Sequence, residues 1–226
     1  MSKIEERNVT SRGVSRAVED YLKAIYTLQQ QGQVSTSSLA EHLNFKPASV
    51  TGMLKTLADM HLVAYTPYHG VALTPPGEKI ALEVVRHHRL LELYLVEALG
   101  YSWDEVHDEA EALEHVISEK LESRIAAHLG HPTFDPHGDP IPTLEGALPS
   151  GSKHDLSELP VGAAGVIERV SDQNSERLRY LADLGLVPGA HVEVVASAPF
   201  DGPVSVRVDD ATYPLDRRLA RMIYVS

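Results

Sequence analysis

The sequence predicts a mainly helical fold with a small β component, in three parts. Residues 1–75 read as a winged helix-turn-helix, 76–148 as an all-helical segment, and 155–226 as a small β-barrel. Three observations carry this. Two helical patterns are joined by a tight turn and followed by a strand pair. Apolar residues keep helical spacing through the middle. A proline-rich stretch then gives way to short β-branched runs separated by glycine and proline.

The first helix spans 14–31, with Val14, Val18, Tyr21, Leu22, Ile25 and Leu28 on one face and Gly32 after it. A short helix over 35–43 follows, with Ser35 or Thr36 as N-cap. After the Asn44-Phe45-Lys46 turn, Pro47 suits the first turn of a helix running to about Met60, because its missing N–H costs nothing there. Runs at 62–66 and 71–74 flank a turn at 67–70 and read as a hairpin. A long helix is expected over 78–99, ended by Gly100. Ser102 and Glu105 form a capping box for one further helix reaching about Leu129. The stretch 131–154 holds five of the fourteen prolines and reads as a loop or linker. Strands are expected at 165–170, 191–196, 204–208 and 222–225, with a helix near 176–184.

The chain has 226 residues, 43% of them hydrophobic and 23% charged, enough for a core. It has no cysteine, which excludes disulfides, thiolate metal sites and a cysteine nucleophile. No apolar run approaches 18 residues and no signal peptide is evident, so a cytoplasmic protein without membrane association is expected. The net charge of −12 argues against nucleic acid only if it is spread evenly. It is not: residues 1–75 are net +1, 76–145 net −10 and 146–226 net −3.

The near-neutral first third suits a DNA reader. In a winged helix the second helix of the pair enters the major groove. Lys46, Pro47, Ser49, Thr51, Gly52 and Lys55 lie toward that helix's N-terminus, with Ser37 on the helix before it and Tyr68 on the wing. Hydroxyls there reach phosphates or base edges, and lysines pair with phosphates. Arg12 and Arg16 add positive charge.

The middle third carries metal-ligand chemistry. His88 and Glu92 are four apart on one helix; His107, Glu111 and His115 are spaced by four on the next, with Glu114 three from Glu111. Carboxylates at such spacing repel unless a cation sits among them, and one or two divalent ions explain a Glu/Glu/His stripe beside a His/Glu pair. A solvated acidic face is the alternative for any single residue. Asp20, on the first helix, reads by itself as an exposed aspartate.

VEDYLKAIYTL, KPASVTGMLKTL, RHHRLLE, VHDEAEALEH and HPTFDPHGDPIP, in that order, resemble the diphtheria toxin repressor family, and more closely its manganese-responsive transport regulators. LADLGLVPGAHVEVV is similar to the ferrous-transport accessory domain, of Src-homology-3-like barrel type. The resemblance implies a metal-binding and dimerisation role for the helical middle, a homodimer on an operator in double-stranded DNA, and repression of metal-uptake genes when metal is bound. It also implies a primary metal site of Asp20, Glu111, Glu114 and His115. The ancillary site would be His88, Glu92 and His107, completed by Asp172 or Glu176. Iron-responsive relatives place cysteine and methionine where this chain has Glu111 and Asp20. Oxygen ligands favour hard Mn²⁺, with Fe²⁺ as the alternative and other divalent transition ions able to bind in vitro. Some manganese regulators carry glutamate where this chain has Lys23, a cation that cannot be a ligand. One ion at each site is therefore expected rather than a close pair. The reading is a regulator and not an enzyme. Its competitors are an iron-responsive repressor, a helical-bundle metalloenzyme, and a winged-helix sensor of a small organic ligand.

Overall fold

A computed structural model describes residues 13–67, 69–152 and 154–226; Arg12 and Tyr68 lie outside the described residues. The chain forms two compact units. The first comprises residues up to 88 with 113–122 and 142–147, and the second 89–112, 123–141 and 148–226.

In the first unit, α1 (Arg16–Gln29), α2 (Thr36–His42) and α3 (Pro47–Asp59) precede the strands β1 (Val63–Thr66) and β2 (Gly70–Leu73). Ser35 is the cap of α2, in a reciprocal box with Ser38, and Pro47 opens α3 at its first turn. Leu22, Ile25, Leu39, Val50, Leu54 and Leu57 are fully buried together, each contributing roughly 1.5–3 kcal/mol by leaving water. β1 and β2 pair antiparallel with Val63 opposite Leu73, and Val34 bridges to Val71. The helix α4 (Pro75–Leu99) starts three residues before the sequence expectation, with Pro75 and Pro76 in its first turn. Gly77 allows that turn to press on the hairpin: a Cβ there would stand 2.0 Å from the Leu62 carbonyl oxygen.

The expected single helix from 105 to 129 is two helices, α5 (Val106–Leu113) and α6 (Glu119–His128). The N–H groups of Val116 and Ile117 both turn back to the Leu113 carbonyl, at 3.0 and 3.2 Å. Ser118 then accepts from Leu121 and Glu122 and starts the new helix. Glu114 and His115 thus sit beyond the end of α5, not on a continuous helical stripe with Glu111.

In the second unit, β3 (His154–Asp155), β4 (Ala164–Val170), β5 (His191–Ser197), β6 (Val204–Val208), β7 (Ala211–Leu215) and β8 (Ile223–Val225) form one antiparallel sheet in the order β3-β8-β4-β5-β6-β7. Register shifts at Ile167/Arg169 and Val194/Ala196 mark bulges, which bend a strand and let a small sheet curl. The helices α7 (Ser175–Asp183) and α8 (Arg217–Ala220) accompany it. Leu178 and Leu181 of α7 join Ile167, Val194, Val206 and Ile223 in the barrel core. The strands β3 and β7 and helix α8 were not anticipated. β7 contains Pro214, which argues against a central strand but is tolerated at this edge position.

Candidate metal centre and DNA-reading face

α3 buries Val50, Leu54 and Leu57 and leaves the opposite face to solvent. Lys46, Pro47, Ser49, Gly52 and Lys55 are exposed, as is Ser37 on α2; Thr51 is half-buried and donates its hydroxyl to the Pro47 carbonyl at 2.9 Å. The N-cap residue Lys46 makes no side-chain cap; Pro47 has no N–H, and the Ser49 N–H donates to the Lys46 carbonyl at 2.9 Å. Phe45, half-exposed beside this face, stacks on Tyr21 with centroids 6.1 Å apart; the sequence reading treated it only as a turn residue.

Three of the metal-ligand candidates converge beside the N-terminal half of α1. Ligand atoms of Asp20, Glu114 and His115 lie within 4.8 Å of one another. His115 Nε2 is 2.7 Å from Asp20 Oδ1 and 3.4 Å from Glu114 Oε1, and His115 Nδ1 donates to Glu19 Oε2 at 2.6 Å. Burial lowers the His115 pKa, but the Asp20 and Glu19 hydrogen bonds and the Glu114 charge outweigh it and push it up to about 9. Glu19 is completely buried and was missed; its one signal is its place on the apolar side of α1, three before Leu22. Glu19 holds the His115 ring and its tautomer through this bond, the arrangement that a carboxylate behind a metal-binding imidazole provides. Glu114 is also fully buried, and its Oε1 has no hydrogen-bond partner. An orphaned buried carboxylate oxygen facing an aspartate and an oriented imidazole fits a divalent cation.

Lys23 points inward. Its Nζ donates to Glu114 Oε2 at 2.7 Å and lies 3.2 Å from His88 Nδ1, which is itself 2.6 Å from the same carboxylate oxygen. The ammonium therefore neutralises the half of Glu114 that faces away from Asp20. Glu111 stays on the last turn of α5 with its side chain 42% exposed, one oxygen 4.0 Å from His107 Nε2.

Of the residues expected at the ancillary site, His88 and Glu92 are buried one turn apart on α4. Glu92 Oε1 lies 3.5 Å from His107 Nδ1. Asp172 is engaged elsewhere: its Oδ1 accepts from the Asn174 N–H and from Arg177, and its Oδ2 is 2.7 Å from Arg177 Nε. It braces the start of α7, its buried Oδ2 has no hydrogen-bond partner, and among the described residues it joins no ligand cluster. Glu176 is exposed in the first turn of α7.

Comparison with known proteins gives three family matches along the chain. Residues 14–71 match the iron dependent repressor N-terminal DNA binding domain, 74–143 the iron dependent repressor metal binding and dimerisation domain, and 154–226 the FeoA domain. The iron-dependent repressor IdeR of Mycobacterium tuberculosis is 33% identical over 92% of this chain and 96% of its own. The diphtheria toxin repressor of Corynebacterium glutamicum is 31% identical over 78% of this chain and 82% of its own. Among solved structures, a manganese-dependent transcriptional repressor in complex with manganese superposes with a TM-score of 0.86 at 42% identity, over 92% of this chain and 98% of that one. The manganese regulator SloR gives 0.79 at 30%, over 92% and 97%. Among the described residues no helix is long and apolar enough to cross a membrane.

Proposed function

The chain belongs to the iron-dependent repressor family, and from that premise we propose that it is a cytoplasmic homodimeric regulator whose hold on operator DNA is switched by Mn²⁺. The observation that carries the reading is the Glu19–His115–Asp20 arrangement with the unpartnered Glu114 oxygen beside it. A bound divalent ion supplies the positive charge shared by Asp20, Glu114 and His115, with Glu111 as the fourth ligand that the family pattern implies. Asp20 belongs to α1 and His115 to the turn after α5, so a shared ligand set fixes the helix that supports the DNA-reading module. In a two-fold dimer the two α3 helices must stand about 34 Å apart to enter successive major grooves. Binding that geometry about 5.5 kcal/mol more tightly moves a 1:99 population to 99:1.

Manganese is preferred because the cluster offers carboxylate oxygens and an imidazole, without sulfur. The iron-dependent name of the M. tuberculosis relative supports Fe²⁺ as the second reading. Titrating the dimer onto its promoter DNA with Mn²⁺, with Fe²⁺ under anaerobic conditions, and with chelator tests both. Mn²⁺-dependent binding abolished by Asp20→Ala supports the proposal, and equal binding with chelator overturns it.

A further inference from the structure

We propose that His87 is a positioning residue for the metal centre: its ring holds the backbone at Glu114, and with it the ligands Glu114 and His115, while Glu122 anchors the ring from the other side. The inference rests on the metal-responsive reading above and adds two residues that belong to no ligand set.

Along α4, Val84 and Val85 are buried, and so is His87, at 1% exposure. A buried imidazole needs polar partners for its ring nitrogens. His87 Nε2 lies 3.0 Å from Glu122 Oε2, and Nδ1 lies 3.2 Å from the Glu114 carbonyl oxygen. Carboxylate and carbonyl oxygens only accept, so the ring is the donor. Glu122, in the first turn of α6, is itself buried and accepts from Arg86 Nε on its other oxygen, at 2.5 Å. Burial raises the Glu122 pKa, but the bonds from His87 and Arg86 outweigh it and hold it below the usual carboxylate value. Arg86 Nη1 in turn donates to the Pro142 carbonyl at 2.7 Å. The series Glu114, His87, Glu122, Arg86 and Pro142 lies wholly within the first unit.

The place where the ring attaches gives it a role beyond packing. Glu114 is the first residue after α5, in the turn that breaks the helix. The last carbonyls of a helix have no partner within it. Here the Val116 and Ile117 N–H groups go to Leu113, and the Glu114 carbonyl goes to His87. Glu114 and His115 are thus carried on a turn rather than a helix, and ligands on a turn are only as well placed as the groups that fasten its backbone. The Glu114 side chain has its own assignments: Oε2 faces Lys23 and His88, and Oε1 stands unpartnered beside His115. Metal–ligand distances hold to within about 0.2 Å, so a small rotation of this turn takes an oxygen or a nitrogen out of range. An apolar side chain at position 87 fills the same space and leaves the carbonyl unfastened.

The test uses the full-length protein in a His107→Ala background, so that the Mn²⁺ read is the ion at Asp20, Glu114 and His115. His87→Leu is expected to bind Mn²⁺ about tenfold more weakly in calorimetry, and the electron paramagnetic resonance spectrum of the bound ion should broaden. His87→Gln, whose amide N–H still reaches for the carbonyl, should recover most of the lost affinity. Glu122→Gln gives the ring a neutral partner and should weaken Mn²⁺ about threefold. A His87 that only fills space predicts a different pattern, a lower melting temperature for His87→Leu with affinity and spectrum unchanged, and that result overturns the inference. Where His87→Leu does not fold, unchanged affinity and spectrum in Glu122→Gln overturn it instead. Parent protein that binds no Mn²⁺ overturns the regulator reading as well, whereas a parent that binds Mn²⁺ with indifferent variants removes only the role of His87.

Discussion

Beside the middle of α1, two side chains carry opposite instructions for a cation. Glu114 presents one oxygen to Asp20 and His115 and gives the other to Lys23. Replacing Lys23 by Gln removes a positive charge a few ångströms from the incoming ion. Mn²⁺ affinity is expected to rise about tenfold in calorimetry. The same change strips Glu114 of its strongest partner, so the apo protein should melt at lower temperature and recover on adding Mn²⁺. Glu19→Gln works in the opposite direction. Losing the carboxylate behind His115 should weaken Mn²⁺ roughly 10–100-fold while α1 stays folded by circular dichroism. That Asp20, Glu114 and His115 come together was legible because metal chemistry restricts residue type and the family pattern restricts position. Glu19 was not, since an acid on an apolar helix face declares its role only when its imidazole partner, 96 residues away, is seen.

Among the elements, α1, α2, α3 and the hairpin were readable because each boundary has a local cause: the Ser35 cap, Pro47 at a first turn, and the 67–70 turn. The break between α5 and α6 was hidden. Val106, Ala110, Ile117 and Ile125 are all buried and roughly keep helical phase across it, so periodicity alone runs through the interruption. β7 was hidden because Pro214 is forbidden in a central strand, and edge position is a tertiary fact. The start of α5 is tied to α7 by Asp104, whose carboxylate accepts from Arg179 at 2.9 and 3.1 Å. Burial raises the Asp104 pKa, but bonds from Ser102 and Arg179 outweigh it and hold it below the usual carboxylate value. A lowered carboxylate stabilises above its unfolded pKa of 3.8 and loses that contribution as pH falls through its lower folded value. Arg179→Ala should therefore melt below wild type at pH 7, and the gap should narrow below about pH 4. Leu54→Ala, emptying a fully buried site in the first unit, should cost about 2–5 kcal/mol in denaturant titration.

Across the whole molecule, a chain of net charge −12 approaches a polyanion through local charge. Lys46 and Lys55 are exposed on the reading helix. If each meets a phosphate, replacing either by Ala should reduce the slope of log affinity against log salt by about one, uniformly across operator sequences. The inward-facing Lys23 has a consequence for how such a protein endures scarcity. A tethered ammonium cannot diffuse away or be stripped by a competitor, so Glu114 keeps a companion however little manganese the cell holds. Famine then alters what the protein grips without threatening the scaffold, and the regulator is still standing when supply returns.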